Sequence, residues 1–121
     1  MSKGRGEGRQ KSEVLQGTLD LMILKTLQAL GPLHGFGIAR RLEQLSDEVL
    51  RLNEGTEYTS LLRLQHEGWI VAEWGASENN RKAKFYSVTK SGRKQLAKET
   101  EDWERFSAVI GRVLRLASTR S

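Results

Sequence analysis

The chain has 121 residues, enough for one small domain with one core and too few for a large multidomain enzyme. Its 20 Lys and Arg exceed its 15 Asp and Glu, and the net charge of +5 favours an anionic partner, nucleic acid first. It contains no cysteine, which excludes disulfides, thiolate zinc sites, iron–sulfur clusters and cysteine nucleophiles. The longest apolar run, Leu21–Leu24, is too short to cross a bilayer, and no apolar signal-peptide core precedes it. We therefore expect a cytoplasmic protein with no membrane partner.

Residues 1–12 are predicted to form a flexible basic arm. The first eleven residues carry four positive charges, one negative charge and three glycines, with too little apolar surface to fold. The positive charges are those of Lys3, Arg5, Arg9 and Lys11. This composition suits an arm that enters the minor groove of DNA, and it suits a passive tail equally well.

The first predicted helix follows this arm. Apolar residues recur every three or four positions at Leu15, Leu19, Ile23, Leu27 and Leu30. This spacing is that of one face of an α-helix, which Gly31 and Pro32 then end. Leu21 and Leu24 widen the apolar face, so the helix needs a second neighbour, which a partner subunit could provide.

A second, shorter helix is predicted to open at His34 and Gly35 and to end at Ser46 and Asp47. Residues 49–53 then alternate in character and predict a short strand.

A third helix is predicted to begin at Gly55, with Thr56 as its N-cap, and to end at Gly68. The side of this helix that packs on the core is predicted to comprise Tyr58, Leu61, Leu62 and Leu64.

Two segments rich in β-forming residues, Trp69–Trp74 and Lys84–Thr89, predict a hairpin. The segment between them supplies glycine, serine and asparagine, which favour a turn, and Arg81 and Lys82, which make the tip basic. Thr89 is predicted to cap a long final helix. Apolar residues repeat along that helix at heptad spacing, at Leu96, Trp103, Phe106, Ile110, Val113 and Ala117.

The predicted fold is mainly α with a small β-hairpin. Residues 13–89 form a winged helix-turn-helix, and residues 90–121 form a C-terminal dimerisation helix and tail. The final helix has more apolar surface than so small a body can cover, so we expect an obligate homodimer.

Three stretches, residues 17–44, 51–75 and 77–96, carry a resemblance to a known family. In their order and spacing they resemble the PadR-like family of bacterial transcriptional regulators, specifically its small members with a single terminal helix. The resemblance implies a homodimeric winged-helix repressor. It also implies that the first and last helices build the dimer and that the third helix enters the major groove of DNA.

The chain departs from that family at the start of the third helix. Members usually carry a Leu-Tyr-Pro-Ala-Leu sequence there, whereas this chain has Glu57, Tyr58, Thr59, Ser60 and Leu61. A carboxylate suits the first turn of a helix, but phosphates repel it. DNA affinity or target choice could therefore differ from the family norm, and DNA binding could be lost.

Eight residues are candidates for contact with double-stranded DNA: Tyr58, Thr59, Ser60, Arg63, Asn80, Arg81, Lys82 and Lys84. Hydroxyls at a helix N-terminus meet phosphates readily, and Arg63 could reach a guanine edge or a phosphate. The hairpin cations suit the DNA backbone or minor groove. The alternatives are core packing for Tyr58 and an unpartnered, solvated charge for Arg63. One of Arg40 and Arg41 could also brace the DNA backbone.

The predicted dimer contacts are Leu15, Leu19, Leu96, Trp103, Phe106, Ile110 and Val113. Trp103 and Phe106 could instead line a cavity for a small apolar or aromatic effector. His34 and His66 are not at metal-ligand spacing, and His34 is expected to help begin the second helix. We expect no metal, no cofactor and no enzymatic activity. The alternative functions are a protein-interaction module and a small-molecule binder, each without DNA binding.

Overall fold

A computed structural model describes residues 17–116 of the chain. The predicted basic arm, Leu15 and residues 117–121 lie outside the described residues. The elements, in chain order, are α1 (17–30), β1 (Leu33–His34), α2 (Gly35–Leu45), α3 (Glu54–His66), β2 (Ile70–Ala76), β3 (Lys82–Val88) and α4 (Lys90–Leu116). The fold is therefore mainly α with a small antiparallel sheet, as predicted.

One core joins all four helices to the inner face of the sheet. Its buried residues are Leu19, Ile23, Leu24, Leu27, Ile38, Leu42, Leu61, Leu64, Ile70, Tyr86 and Leu96. Burial of an aliphatic side chain such as these stabilises the fold by roughly 1.5 to 3 kcal/mol. Leu19 and Leu96, two of the predicted dimer contacts, are instead buried in the core of their own chain.

Side-chain caps set where α2 and α3 begin. His34 begins α2, as predicted, because its Nδ1 accepts a hydrogen bond of 3.0 Å from the Gly37 N–H. The cap of α3 is Asn53 and not the predicted Thr56. The Asn53 Oδ1 accepts from the N–H groups of Gly55 and Thr56, at 2.8 and 3.2 Å. The cap thus lies three residues earlier than predicted, and α3 begins at Glu54, one residue before the predicted start at Gly55.

The sheet has three antiparallel strands in the order β1-β3-β2. The strand predicted over residues 49–53 does not form, and the third strand is the two-residue β1, which is too short to leave a pattern in the sequence. The hairpin strands pair from Ile70 opposite Val88 to Ala76 opposite Lys82, so they extend closer to the turn than predicted. Asn80 supplies the positive φ, 60°, that this turn requires.

The first turn of α4 is fixed to the beginning of β2. The Thr89 Oγ1 accepts from the Gly92 N–H at 3.0 Å, as the predicted cap requires, and donates to the carbonyl of Gly68 at 2.7 Å. Gly92 lies so close to the Trp69 carbonyl that a Cβ there would collide with it. Within the described part of the chain, α4 buries only Gly92 and Leu96, so most side chains of this long helix remain exposed.

Candidate nucleic-acid interface

The outer face of α3 carries side chains spaced four residues apart. Tyr58 and Leu62 are 54% and 46% exposed, and His66 is exposed one turn further on. The prediction that Tyr58 and Leu62 pack on the core was therefore wrong, whereas Leu61 and Leu64 are buried as predicted. The spacing of residues 58, 62 and 66 was visible in the sequence, but it marks a face only once the opposite side is known to be buried.

The hydroxyl residues of α3 take different positions. Thr59 is exposed, and its Oγ1 donates to the Gly55 carbonyl at 2.8 Å, which leaves the acceptor lone pairs and the methyl group for a partner. Ser60 was predicted to meet DNA, but it is fully buried. Its Oγ accepts a hydrogen bond of 3.2 Å from Arg63, so Ser60 supports the inner side of the helix.

Arg63 is bound to Asp20 of α1 by a bidentate ion pair. The Nε–Oδ2 and Nη2–Oδ1 distances are 2.9 and 2.8 Å, and the side chains are 35% and 16% exposed. The hydrogen bond to Asp20 raises the pKa of the Arg63 guanidinium above its ordinary value. Arg63 is therefore not a solvated charge without a partner, and its guanidinium is not free to point outward. It joins α3 to α1 across 43 residues of sequence.

A groove between α2 and the hairpin, which we call the basic groove, brings together cations from distant parts of the chain. Its volume is about 810 Å³. The cations that line it are Arg40, Arg41, Arg81, Lys82 and Lys84. Among the described residues that line it, Glu78 is the one carboxylate. The groove therefore combines both candidate arginines of the second helix with the predicted hairpin cations, whereas Asn80 lies in the turn beyond it.

Trp74, which the sequence analysis did not single out, lies beside this groove. Its side chain is 63% exposed, and the Nζ atoms of Lys82 and Lys84 each lie 5.7 Å from its ring centroid. Trp74 pairs with Lys84 across the hairpin, so only the strand register reveals the contact. An exposed aromatic ring next to two cations suits a nucleic acid, because the cations attract phosphates and the ring can stack on a base.

Glu57 was expected to lie near the DNA phosphates, but it is buried on the inner side of α3. Its side chain is 6% exposed, and its Oε2 has no hydrogen-bond partner within residues 17–116. Burial raises the pKa of Glu57 to about 7, and the neighbouring carboxylates of Glu54 and Glu43 add to the rise. The expected repulsion between this carboxylate and phosphates therefore has no geometric basis.

The C-terminal part of α4 presents an apolar seam. Trp103, Phe106, Ile110 and Val113 are all exposed to solvent, Phe106 by 60%. Trp103 and Phe106 also line a shallow cleft of about 330 Å³ against α1, which contributes Gly17, Thr18 and Leu21. The described residues thus leave four of the seven predicted dimer contacts available to a partner.

Residues 17–116 contain no cluster of His, Asp and Glu side chains arranged to hold a metal ion. Among the helices of the same range, none combines the length and the apolar character that a membrane span requires.

An exposed third helix, an inner helix pair that positions it and a two-stranded wing define a winged helix-turn-helix of the kind found in transcriptional regulators. A sequence model of the Transcriptional regulator PadR-like family matches residues 23–98, more than half of the chain. The chain therefore belongs to the PadR-like family, as its resemblance suggested. This is a family of transcriptional regulators and not of enzymes.

Solved structures agree with this assignment. A transcriptional regulator from Clostridium thermocellum is 29% identical, with a TM-score of 0.74, over 83% of this chain and 93% of the other. A PadR-like transcriptional regulator from Bacillus cereus is 27% identical, with a TM-score of 0.72, over 84% of this chain and 96% of the other. In sequence alone, a protein from Lysinibacillus sphaericus is 24% identical to this chain over 83% of this chain and 91% of its own length.

The pair of Asp20 and Arg63 predicts a measurable coupling energy. In a double-mutant cycle with Asp20→Ala and Arg63→Ala, we expect about 1 to 2 kcal/mol of coupling in the free energy of unfolding, because the pair is bidentate and partly buried. The control is a cycle for Arg40 and Glu48, which are 3.9 Å apart and half exposed, where we expect about 0 to 0.5 kcal/mol. Equal coupling energies for the two pairs would contradict the anchoring role of Arg63.

Burial of Glu57 predicts that stability falls as pH rises. The folded pKa of about 7 lies above the ordinary value of 4.5, so the fold favours the protonated acid. Its stabilising effect is complete below about pH 4.5 and is lost as pH rises through about 7, a change of roughly 3 kcal/mol. Urea unfolding at fixed protein concentration across this range should show the fall.

Two variants isolate the Glu57 contribution. Glu57→Gln removes it and should flatten the pH dependence by that amount, whereas Glu67→Gln, which alters an exposed carboxylate at the end of α3, should leave it unchanged. The same pH dependence in the wild-type and Glu57→Gln chains would show that Glu57 is not the titrating group.

Proposed function

We propose that this transcriptional regulator binds promoter DNA sequence-specifically as a homodimer and represses by occupying it. The observation that carries the proposal is a continuous surface. Phe36 and Arg40 line both the basic groove and the adjoining cavity that Tyr58 lines, so the outer face of α3 and the groove adjoin. A helix that reads bases and cations that hold the backbone must adjoin in this way. Such a role places the protein with the chromosome, in the cytoplasm.

Charge is distributed so that DNA attraction depends on a few cations. Residues 12–74, which include the three helices of the winged-helix body, carry nine carboxylates against five Lys and Arg. A general positive field is therefore absent from that part of the chain, and we assign the phosphate contacts to Arg81, Lys82 and Lys84 of the wing with one of Arg40 and Arg41. Trp74 joins them as an additional contact.

Base recognition in this proposal falls to the outer face of α3. Tyr58 and Thr59 remain from the predicted set, and Leu62 and His66 are added because they are exposed on the same face. The thymine methyl group suits Leu62 and the Thr59 methyl, and His66 can donate a hydrogen bond to a base or a phosphate. Arg63 serves to position the helix, since Asp20 occupies its guanidinium.

The apolar seam of α4 supplies the homodimer contact. Trp103, Phe106, Ile110 and Val113 lie at the heptad positions of one helix face, and a second copy of α4 offers the same spacing. The dimer would place two α3 helices in successive major grooves, about one helical turn apart, on a near-palindromic operator. In this arrangement residues 13–89 form the DNA-binding domain and residues 90–121 the dimerisation helix and tail.

An effector is a further part of the proposal. The cleft that Trp103 and Phe106 line between α1 and α4 would admit the edge of a flat apolar compound, and a second subunit would deepen it. Such a compound acts if it binds one arrangement of the dimer more tightly than another, the arrangements differing in the angle between the two winged-helix domains, which we call the reading heads. The alternative of an interaction module that has lost DNA binding relied on a solvent-facing Glu57, and the burial of Glu57 removes that support.

A salt titration tests DNA binding directly. Affinity for a fluorescent duplex, measured by anisotropy between about 50 and 200 mM salt, should fall steeply because several phosphates are neutralised. The double variant Arg81→Ala with Lys82→Ala should weaken binding to all duplexes and reduce the log–log slope by about 2. The control Lys98→Ala removes an exposed charge on α4, outside the groove, and should change neither quantity. An affinity independent of salt would contradict the proposal.

A further inference from the structure

A second cavity, which we call the α2–α3 cavity, opens between these two helices. Its volume is about 470 Å³, within the range of small-molecule sites. Its walls are largely apolar and aromatic, with contributions from Phe36, Leu52 and Tyr86. Three carboxylates, those of Glu43, Glu54 and Glu57, also line it. Tyr58 and Arg40, which were assigned to DNA contacts above, also line it, whereas the three carboxylates have no part in those contacts.

Glu57 lies at the buried side of this cavity. Its side chain is 94% buried, and its Oε2 lacks a hydrogen-bond partner among the described residues. The carboxylate is enclosed by Gly35, where a Cβ would lie 3.9 Å from both oxygens, and by Leu61 and Tyr86. A carboxylate withdrawn from water without a partner destabilises the folded state, so this group is suited to a donor supplied from outside the chain.

The residues around Glu57 do not provide that donor. Glu43 is occupied, since its Oε2 accepts from the Leu52 N–H at 3.3 Å, and it carries the same charge. Arg40 is the one cation among the described residues that line the cavity, and its guanidinium lies 3.9 Å from Glu48, which does not line it. The cavity is therefore an acidic, partly apolar space in which, among the described residues, Glu57 is the buried carboxylate left without a partner.

We propose that the α2–α3 cavity binds a small organic cation, a protonated amine carried on an apolar or aromatic body, with the ammonium donating to the Glu57 carboxylate. The ammonium satisfies the buried acceptor in a charge-assisted hydrogen bond and reduces the repulsion among the three carboxylates. The body of the ligand packs against Phe36 and Tyr86, where cation–π contacts add to apolar burial. The carboxylates repel an anion of the same shape, and a neutral analogue binds more weakly because it cannot form the charge-assisted hydrogen bond.

Binding of the amine should release protons from the protein. The pKa of Glu57, about 7, means that near neutral pH about half of the free protein carries a proton on this carboxyl. The bound ammonium favours the carboxylate, so the Glu57 proton passes to the buffer while the ammonium keeps its own protons. About half a proton should therefore be released for each amine bound at pH 7.

Calorimetry on the full chain, without DNA, tests this site independently of the proposed function. The probes are 2-phenylethylamine, the neutral 2-phenylethanol and the anionic 3-phenylpropanoate, each titrated in two buffers of different ionisation enthalpy. We expect the amine to bind at least about tenfold more tightly than the alcohol and the propanoate to bind least. The difference in heat between the buffers should correspond to release of about half a proton.

Three variants locate the binding. Glu57→Gln should weaken amine binding at least about tenfold and abolish proton release. Ala39→Met, which fills the cavity from α2 while keeping Glu57, should cause a similar loss, and it serves if Glu57→Gln does not fold. Glu67→Gln, at the far end of α3, should bind as the wild type does. Far-UV circular dichroism verifies that each variant is folded.

Several results would overturn the inference. The first is that the amine and the alcohol bind with equal affinity. The second is that Glu57→Gln, or folded Ala39→Met, binds the amine as tightly as the wild type does. The third is that the wild type does not bind the amine at millimolar concentrations. Because none of these measurements includes DNA, failure here would leave the proposed regulation of transcription untouched.

Discussion

The unpaired apolar seam of α4 is the constraint on which the functional account rests. Within the described residues, this 27-residue helix buries only Gly92 and Leu96 against the body of the domain. Beyond them, Trp103, Phe106, Ile110 and Val113 remain in contact with water, at a cost that a second copy of the helix would remove. The proposed dimer follows from this exposure, and with it the pairing of two reading heads and the symmetry of the DNA that they recognise.

The orientation of α3 in each reading head depends on the contacts that the inner side of this helix makes. Leu61 and Leu64 pack it on the core, and Arg63 fixes it to α1 through Asp20. Because these contacts all lie on the inner side, Tyr58, Thr59, Leu62 and His66 are left for an external partner. The outer face itself has little positive charge. In the proposed complex the basic groove, with Trp74 beside it, would supply the attraction that α3 lacks, so that a domain with an acidic winged-helix body could still bind DNA.

Some interactions between neighbours in sequence could be predicted, although the cap of α3 was misplaced, whereas those between distant residues could not. His34 and Thr89 cap helices through contacts three residues away, so the sequence was sufficient to identify both. The partnership of Asp20 and Arg63 spans 43 residues and depends on how two helices cross. The burial of Ser60 and Glu57 has the same origin, since neither residue type is normally found in a core. Arg81 and Lys82 were identified as candidates from their charge, but their convergence with Arg40 and Arg41 required the fold.

The central claim is that α4 pairs two reading heads at a separation that matches the DNA helix. Selection of bound fragments from random duplex DNA by the full chain tests it most directly, because one measurement reports both sequence preference and half-site spacing. The account predicts enrichment of an inverted repeat whose half-site centres are about 10 base pairs, or one helical turn, apart. Enrichment of a single unpaired site, or no enrichment over the input pool, would contradict it.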